Sequence, residues 1–128
     1  MPEHRGIIAI VDDDAGIRKA LARLLRASHF ETHVFGSAEE FLDRAALERH
    51  DCLILDIRLP GISGLELSRR LEEQNMQLPT IFITAQEKNW ASRQTGIPDV
   101  NVCRLKPVPA ATLLGAVESA LSRASRQT

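Results

Sequence analysis

Ile7-Ile8-Ala9-Ile10-Val11-Asp12-Asp13-Asp14 opens on five apolar, mostly β-branched residues and stops on three consecutive carboxylates. A short, unbroken apolar run of this kind is the pattern of a strand buried on both faces of a parallel sheet. Beyond it, Ile17, Leu21, Leu24 and Leu25 recur at helical spacing while Arg18, Lys19, Arg23 and Arg26 take the polar positions, which predicts an amphipathic helix over residues 14–27. A buried strand feeding such a helix is one βα unit, and the rest of the chain repeats it.

Thr32-His33-Val34-Phe35 predicts a shorter, more polar second strand. Gly36-Ser37-Ala38-Glu39-Glu40 then reads as a capping box, Ser37 with Glu40 three residues on, opening a helix that carries Phe41, Leu42, Ala45 and Leu47. Cys52-Leu53-Ile54-Leu55 predicts a third strand ending at Asp56, followed by the turn-rich Leu59-Pro60-Gly61-Ile62-Ser63-Gly64 and a helix over 65–74. Pro79-Thr80-Ile81-Phe82-Ile83-Thr84 predicts strand four and Val100-Asn101-Val102-Cys103-Arg104-Leu105 strand five, while Leu113, Leu114, Val117 and Leu121 mark a last helix. Between strands four and five, residues 87–95 predict only a short or irregular fourth helix, with Trp90 and Ala91 as its main apolar residues and Gly96 and Pro98 ending it. Residues 123–128 have no apolar anchor and are expected as a disordered tail or the start of a linker after one domain over 1–122.

Five such units predict an α/β fold, a (βα)5 doubly wound parallel sheet with helices on both faces. Strands one, three and four are nearly all apolar and belong in the centre; His33 in strand two, and Asn101 and Arg104 in strand five, suit edges. The implied order is 2-1-3-4-5, flavodoxin-like, whose ligand site lies at the carboxyl ends of strands one and three.

With 128 residues, 44% hydrophobic and 26% charged, the chain has the composition of one globular domain and not of a disordered or coiled-coil sequence. Sixteen Lys and Arg against seventeen Asp and Glu give a formal net charge of −1, so no overall electrostatic grip on nucleic acid or anionic lipid is predicted. The apolar runs are too short to cross a bilayer and Met1-Pro2-Glu3-His4-Arg5 lacks a signal-peptide pattern, which predicts a cytoplasmic protein without membrane contact. Cys52 and Cys103 lie in strand-like runs with no metal-ligand spacing and read as reduced core thiols.

At the carboxyl ends of the strands gather Asp12, Asp13 and Asp14, then Asp56, Thr84 and, after strand five, Lys106. Two carboxylates about 4 Å apart repel by roughly 4 kcal/mol at an effective dielectric of about 20, so stability alone explains such a rim poorly. A cation does, and carboxylate oxygens with room for water suit Mg²⁺. A metal beside a carboxylate, a hydroxyl and an ammonium is equipment for phosphoryl transfer to Asp, the cations neutralising charge on the equatorial oxygens. Asp56, alone in the middle of the rim, is the better nucleophile; Asp12 and Asp13 form the metal edge; Asp14 caps helix one.

The sequence Ile10-Val11-Asp12-Asp13-Asp14, the run from Leu55 to Gly64, Ile83-Thr84-Ala85 and Leu105-Lys106-Pro107 together resemble the CheY-like receiver domain of two-component response regulators. The resemblance covers residues 5–122. It implies that Asp56 is the phosphoacceptor, that Asp12, Asp13 and Asp56 hold Mg²⁺ with the backbone carbonyl of Arg58, that Thr84 hydrogen-bonds the phosphoryl group and that Lys106 pairs with it. It also implies a sensor histidine kinase or phosphotransfer protein as donor, a possible homodimer through the strand four to strand five face, and DNA as partner only if a helix-turn-helix output domain follows. The stretch through Arg58 and Ser63-Gly64 is similar to receivers joined to LuxR-type helix-turn-helix domains. Two departures stand out: Cys103 replaces the aromatic residue usual three positions before the Lys, and the fourth helix is altered, so an output route through 87–95 and Trp90 is expected instead.

The rival reading is a phosphohydrolase of the haloacid-dehalogenase kind, which expects Asp-x-Asp-x-Thr after strand one, whereas here Asp14 is followed by Ala15 and Gly16. A pseudo-receiver that only binds protein is the other alternative; the presence of the whole rim argues against it.

Overall fold

The computed structural model describes residues 5–45, 49–75, 78–84, 103–105 and 109–126. In chain order these form β1 (Ile7–Val11), α1 (Ala15–Ala27), β2 (Glu31–Phe35), α2 (Ala38–Ala45), β3 (Cys52–Asp56), α3 (Gly64–Glu73), β4 (Thr80–Thr84), β5 (Cys103–Leu105) and α4 (Ala110–Arg126). The strands make one parallel sheet in the order β2-β1-β3-β4-β5, with β1 between β2 and β3. The architecture is therefore an α/β layered fold, as the alternating pattern predicts. The expected helix over 87–95, with Trp90, lies outside the described residues, as do Leu47, the first three residues of expected strand five and Lys106.

The unbroken apolar runs follow from burial on both faces. Along β1, Ile8 and Ile10 pack with Leu21, Leu25, Leu113 and Val117 of α1 and α4, while Ala9 and Val11 pack with Phe41, Leu67 and Leu71 of α2 and α3. Every residue of β3 is buried, Asp56 included. At about 25 cal/mol per Å² of apolar surface, these two layers supply the main folding drive. Polar residues fall on edge strand β2, where His33 hydrogen-bonds Glu31 at 2.8 Å and His50 at 2.9 Å.

The helix starts obey their local chemistry. Asp14 caps α1, its side chain accepting the Ile17 N–H at 3.1 Å, and Ser63 caps α3 by accepting from Glu66 N–H at 3.1 Å. Ser37 accepts the Glu40 N–H at 3.0 Å, but Glu40 reaches back to the Gly36 N–H at 3.3 Å, one residue earlier than a standard capping box. On α3, hydrogen bonds from Arg69 and then Arg70 hold the Glu66 carboxyl below its usual range.

The end of α1 carries no glycine. Instead His29 takes φ +73°, with His29 N–H bonding Arg26 C=O and Phe30 N–H bonding Leu25 C=O, both at 3.0 Å. This is a Schellman stop with buried Phe30 and Leu25 in the same core layer. A side chain at positive φ costs about 1 kcal/mol or more, so His29→Gly is expected to raise stability by roughly 0.5–1 kcal/mol in urea unfolding. A loss of stability would show that the His29 side chain contributes more than its backbone strain costs.

One boundary differs from expectation. The last helix runs to Arg126, so residues 123–126, expected as a disordered tail or the start of a linker, are helical and continue α4. Once the turns anchored by Leu113, Val117 and Ala120 exist, each added residue closes a helical hydrogen bond, and Arg and Ala are good helix formers. An apolar anchor is needed to start a helix, not to extend it by one turn.

Candidate functional site

Parallel strands bring their carboxyl ends to one side, and the register Val11↔Leu55 sets Asp12 beside Asp56. Oxygens of Asp12, Asp13 and Asp56 all lie within 4.8 Å of one another; Asp12 and Asp56 are buried and Asp13 is exposed. Carboxylates at that spacing repel by about 3 kcal/mol per pair at an effective dielectric of about 20, less where Asp13 meets water. A hard divalent cation with oxygen ligands fits this donor set, and one exposed ligand leaves a face for water and a phosphate.

Each carboxylate is aimed by the backbone around it. Asp12 Oδ1 accepts the Asp14 N–H at 2.9 Å, and Asp56 Oδ1 accepts the Arg58 N–H at 3.1 Å. The Asp12 backbone N–H bonds Phe35 C=O at 3.1 Å and its carbonyl accepts from the Arg18 guanidinium at 2.7 Å, so helix α1 grips the strand end it follows. Ile57 N–H bonds Ile83 C=O at 3.0 Å, which fixes the chain just past Asp56 to β4.

Of the predicted site residues, Asp12, Asp13 and Asp56 are thus together, and Asp14 is set apart as the α1 cap. The Arg58 side chain is exposed. Thr84 ends β4 and pairs with Leu105 of β5, the residue just before Lys106; the Thr84 and Cys103 side chains and all of Lys106 lie outside the described residues.

Three contributors escape the rim reading. Arg18 looks like any polar helix position, and nothing in the sequence ties it to the Asp12 carbonyl. Gly64 is the first residue of α3, where a Cβ would overlap the Asp56 carbonyl oxygen and lie 2.9 Å from its carbon and 3.0 Å from Ile57 Cα. A glycine directly after an N-cap serine is a poor helix former, and that is the signal of a close approach. The third is Glu39 on α2, whose Oε2 accepts the Ile62 N–H at 3.1 Å across 23 residues of sequence.

A family model described as "Response regulator receiver domain" matches residues 8–118. Among curated proteins, Response regulator protein TodT of Pseudomonas putida is 35% identical over 128 residues, covering 99% of this chain and 56% of TodT. Transcriptional regulatory protein TdiR of Thauera aromatica is 34% identical over 119 residues, covering 90% of this chain and 51% of TdiR. The chain thus spans about half the length of these relatives. Among solved structures, response regulator StyR is 35% identical with a TM-score of 0.79 over 94% of this chain and 62% of StyR. FixJ-N is 31% identical with a TM-score of 0.77 over 95% of this chain and 96% of that one.

Proposed function

The chain belongs to the response regulator receiver domain family, and from that premise we propose that it accepts a phosphoryl group on Asp56 and is switched by it. The observation that carries this reading is the convergence of three carboxylates within 4.8 Å at the carboxyl end of the sheet. Asp12 and Asp13, with Asp56 and the backbone carbonyl of Arg58, are the proposed Mg²⁺ ligands. Bound there, Mg²⁺ would neutralise charge on the phosphoryl oxygens. Asp56 attacks phosphorus in line; the bond to the donor imidazole breaks, and its electron pair leaves with the imidazole. Thr84 hydroxyl and Lys106 ammonium take the remaining phosphoryl oxygens. The chemistry is self-catalysed phosphotransfer and later autodephosphorylation, within a signalling module and not a dedicated enzyme.

A sensor histidine kinase or phosphotransfer protein is the proposed donor, in the cytoplasm. Among the described residues no helix is long and apolar enough to cross a membrane. In the same reading the sheet completes a (βα)5 doubly wound fold with a short helix between β4 and β5, and the β4–β5 face is the candidate homodimer surface. NtrC of Klebsiella pneumoniae, 41% identical over 82 residues, is named a DNA-binding transcriptional regulator; DNA is proposed for this chain only through a helix-turn-helix output domain.

Intact-mass measurement with acetyl phosphate tests the reading: a phosphoryl mass gain with Mg²⁺ and none with EDTA is expected. For the metal, a ligand present at about 100 times its Kd adds about 2.7 kcal/mol, of the order of 10 °C in Tm for a chain this size. Asp13→Ala should remove more than half of that Mg²⁺-induced rise. An undiminished rise in the variant would take Asp13 out of the ligand set.

A further inference from the structure

Glu39 lies in the first turn of α2, and its contact with Ile62 joins that helix to the loop between β3 and α3. The loop ends are secured: Ile57 N–H bonds Ile83 C=O at 3.0 Å, and Gly64 N–H bonds Ile57 C=O at 2.9 Å. The crown, residues 60–62, is held by half-buried Ile62 packed on the core and, among the described residues, by one hydrogen bond, from the Ile62 N–H to Glu39 Oε2. That bond depends on its neighbour. Gly61 has φ +74°, and a Cβ there would overlap Glu39 Oε2 and stand 3.3 Å from its Cδ. The carboxylate thus occupies the space left by the missing side chain. This is a paired fit between two elements far apart in sequence.

We infer that Glu39 is a positioning residue for the phosphoacceptor site, a clamp that fixes the β3–α3 loop and with it the Arg58 carbonyl. The inference rests on the proposed role of Arg58 in holding Mg²⁺. With Ile62 packed and the Arg58 N–H bonded to Asp56, the Glu39 bond removes the remaining play at the crown; without it that play must be ordered when the metal binds, and affinity falls by that cost. The clamp also ties α2 to the chemistry, so a contact that displaces Glu39 would weaken metal binding from outside the carboxylate rim.

A plain surface role predicts something different. An acidic residue in a first turn also favours the helix dipole, and that benefit depends on charge, not on hydrogen-bond acceptance. Glu39→Gln removes the charge and keeps an acceptor oxygen, whereas Glu39→Ala removes both. The full chain is tested by amide hydrogen exchange at Ile62 and by Mg²⁺ titration followed through Tm. Glu39→Ala should speed Ile62 exchange about tenfold and weaken Mg²⁺ by about three- to tenfold, with metal-free Tm little changed; Glu39→Gln should stay within about twofold of the parent. In a double-mutant cycle, Gly61→Ala should disturb the loop less when Glu39 is already Ala, because the overlap is gone. The clamp is overturned if Glu39→Ala leaves both Ile62 exchange and Mg²⁺ affinity at parental values, or if Glu39→Gln behaves as Glu39→Ala does. Ile62 exchange that responds while Mg²⁺ affinity does not also overturns it, since the bond then positions nothing. Failure of the parent to gain phosphoryl mass would instead sink the functional reading and leave the exchange result to decide the contact.

Discussion

Asp56→Asn is expected to lose the phosphoryl mass gain completely, the largest functional effect any single side chain should have here. The amide oxygen is a far weaker nucleophile than a carboxylate oxygen, so the covalent step has no attacking group. The fold should survive. Asn can still accept the Arg58 N–H that Asp56 Oδ1 now accepts at 3.1 Å, and it occupies nearly the same volume in a strand with every residue buried. Removing one of three crowded carboxylates should also raise metal-free stability, by about 1 kcal/mol or more once water screening is allowed for. A variant that is modified as fully as the parent would move the phosphoacceptor elsewhere. One that fails to fold by circular dichroism would show that the carboxylate itself is a structural requirement.

Gly64→Ala should carry the largest stability effect. In an ordinary helix this change gains roughly 0.5–1 kcal/mol, because glycine is the poorer helix former. At this position the new Cβ overlaps the Asp56 carbonyl oxygen and crowds Ile57 Cα, and these backbone atoms cannot swing aside as a flexible side chain would. The start of α3 must move from β3, breaking the Gly64 N–H bond to Ile57 C=O. A cost of about 3 kcal/mol, roughly 10 °C in Tm, is expected, with weaker Mg²⁺ stabilisation because Asp56 is displaced too. Thermal unfolding with and without Mg²⁺ decides it, and an increase in Tm would show that α3 does not seat against the strand end as described.

Much of this site could be read from the chain because its key residues interrupt strong patterns. Three aspartates after Ile7–Val11 and one after Cys52-Leu53-Ile54-Leu55 are conspicuous against apolar runs, and parallel topology brings them to one side. The caps Asp14 and Ser37 were legible for the same local reason: each acts within four residues of itself. Contacts that depend on distant pairs were not. Arg18 on the Asp12 carbonyl and Glu39 on Ile62 follow from how helices sit on the sheet, and no local spacing encodes that. The His29 stop was hidden because a positive φ is normally signalled by glycine. The helical state of residues 123–126 was not legible because side-chain pattern reports where a helix packs, while its length also depends on backbone cooperativity.

The placement of β1 between β2 and β3 has a consequence for the nascent chain. As synthesis proceeds from the N-terminus, β1, α1 and β2 emerge first and can form a parallel pair with one hydrogen-bonding edge of β1 still unfilled. Only when β3 leaves the ribosome can Ile8 to Val11 acquire their second partner strand. The same event brings Asp56 to Asp12. Assembly of the central sheet and assembly of the carboxylate trio are therefore one step in biogenesis, and a ribosome-bound fragment ending before β3 exposes an apolar strand edge while holding only two of the three carboxylates.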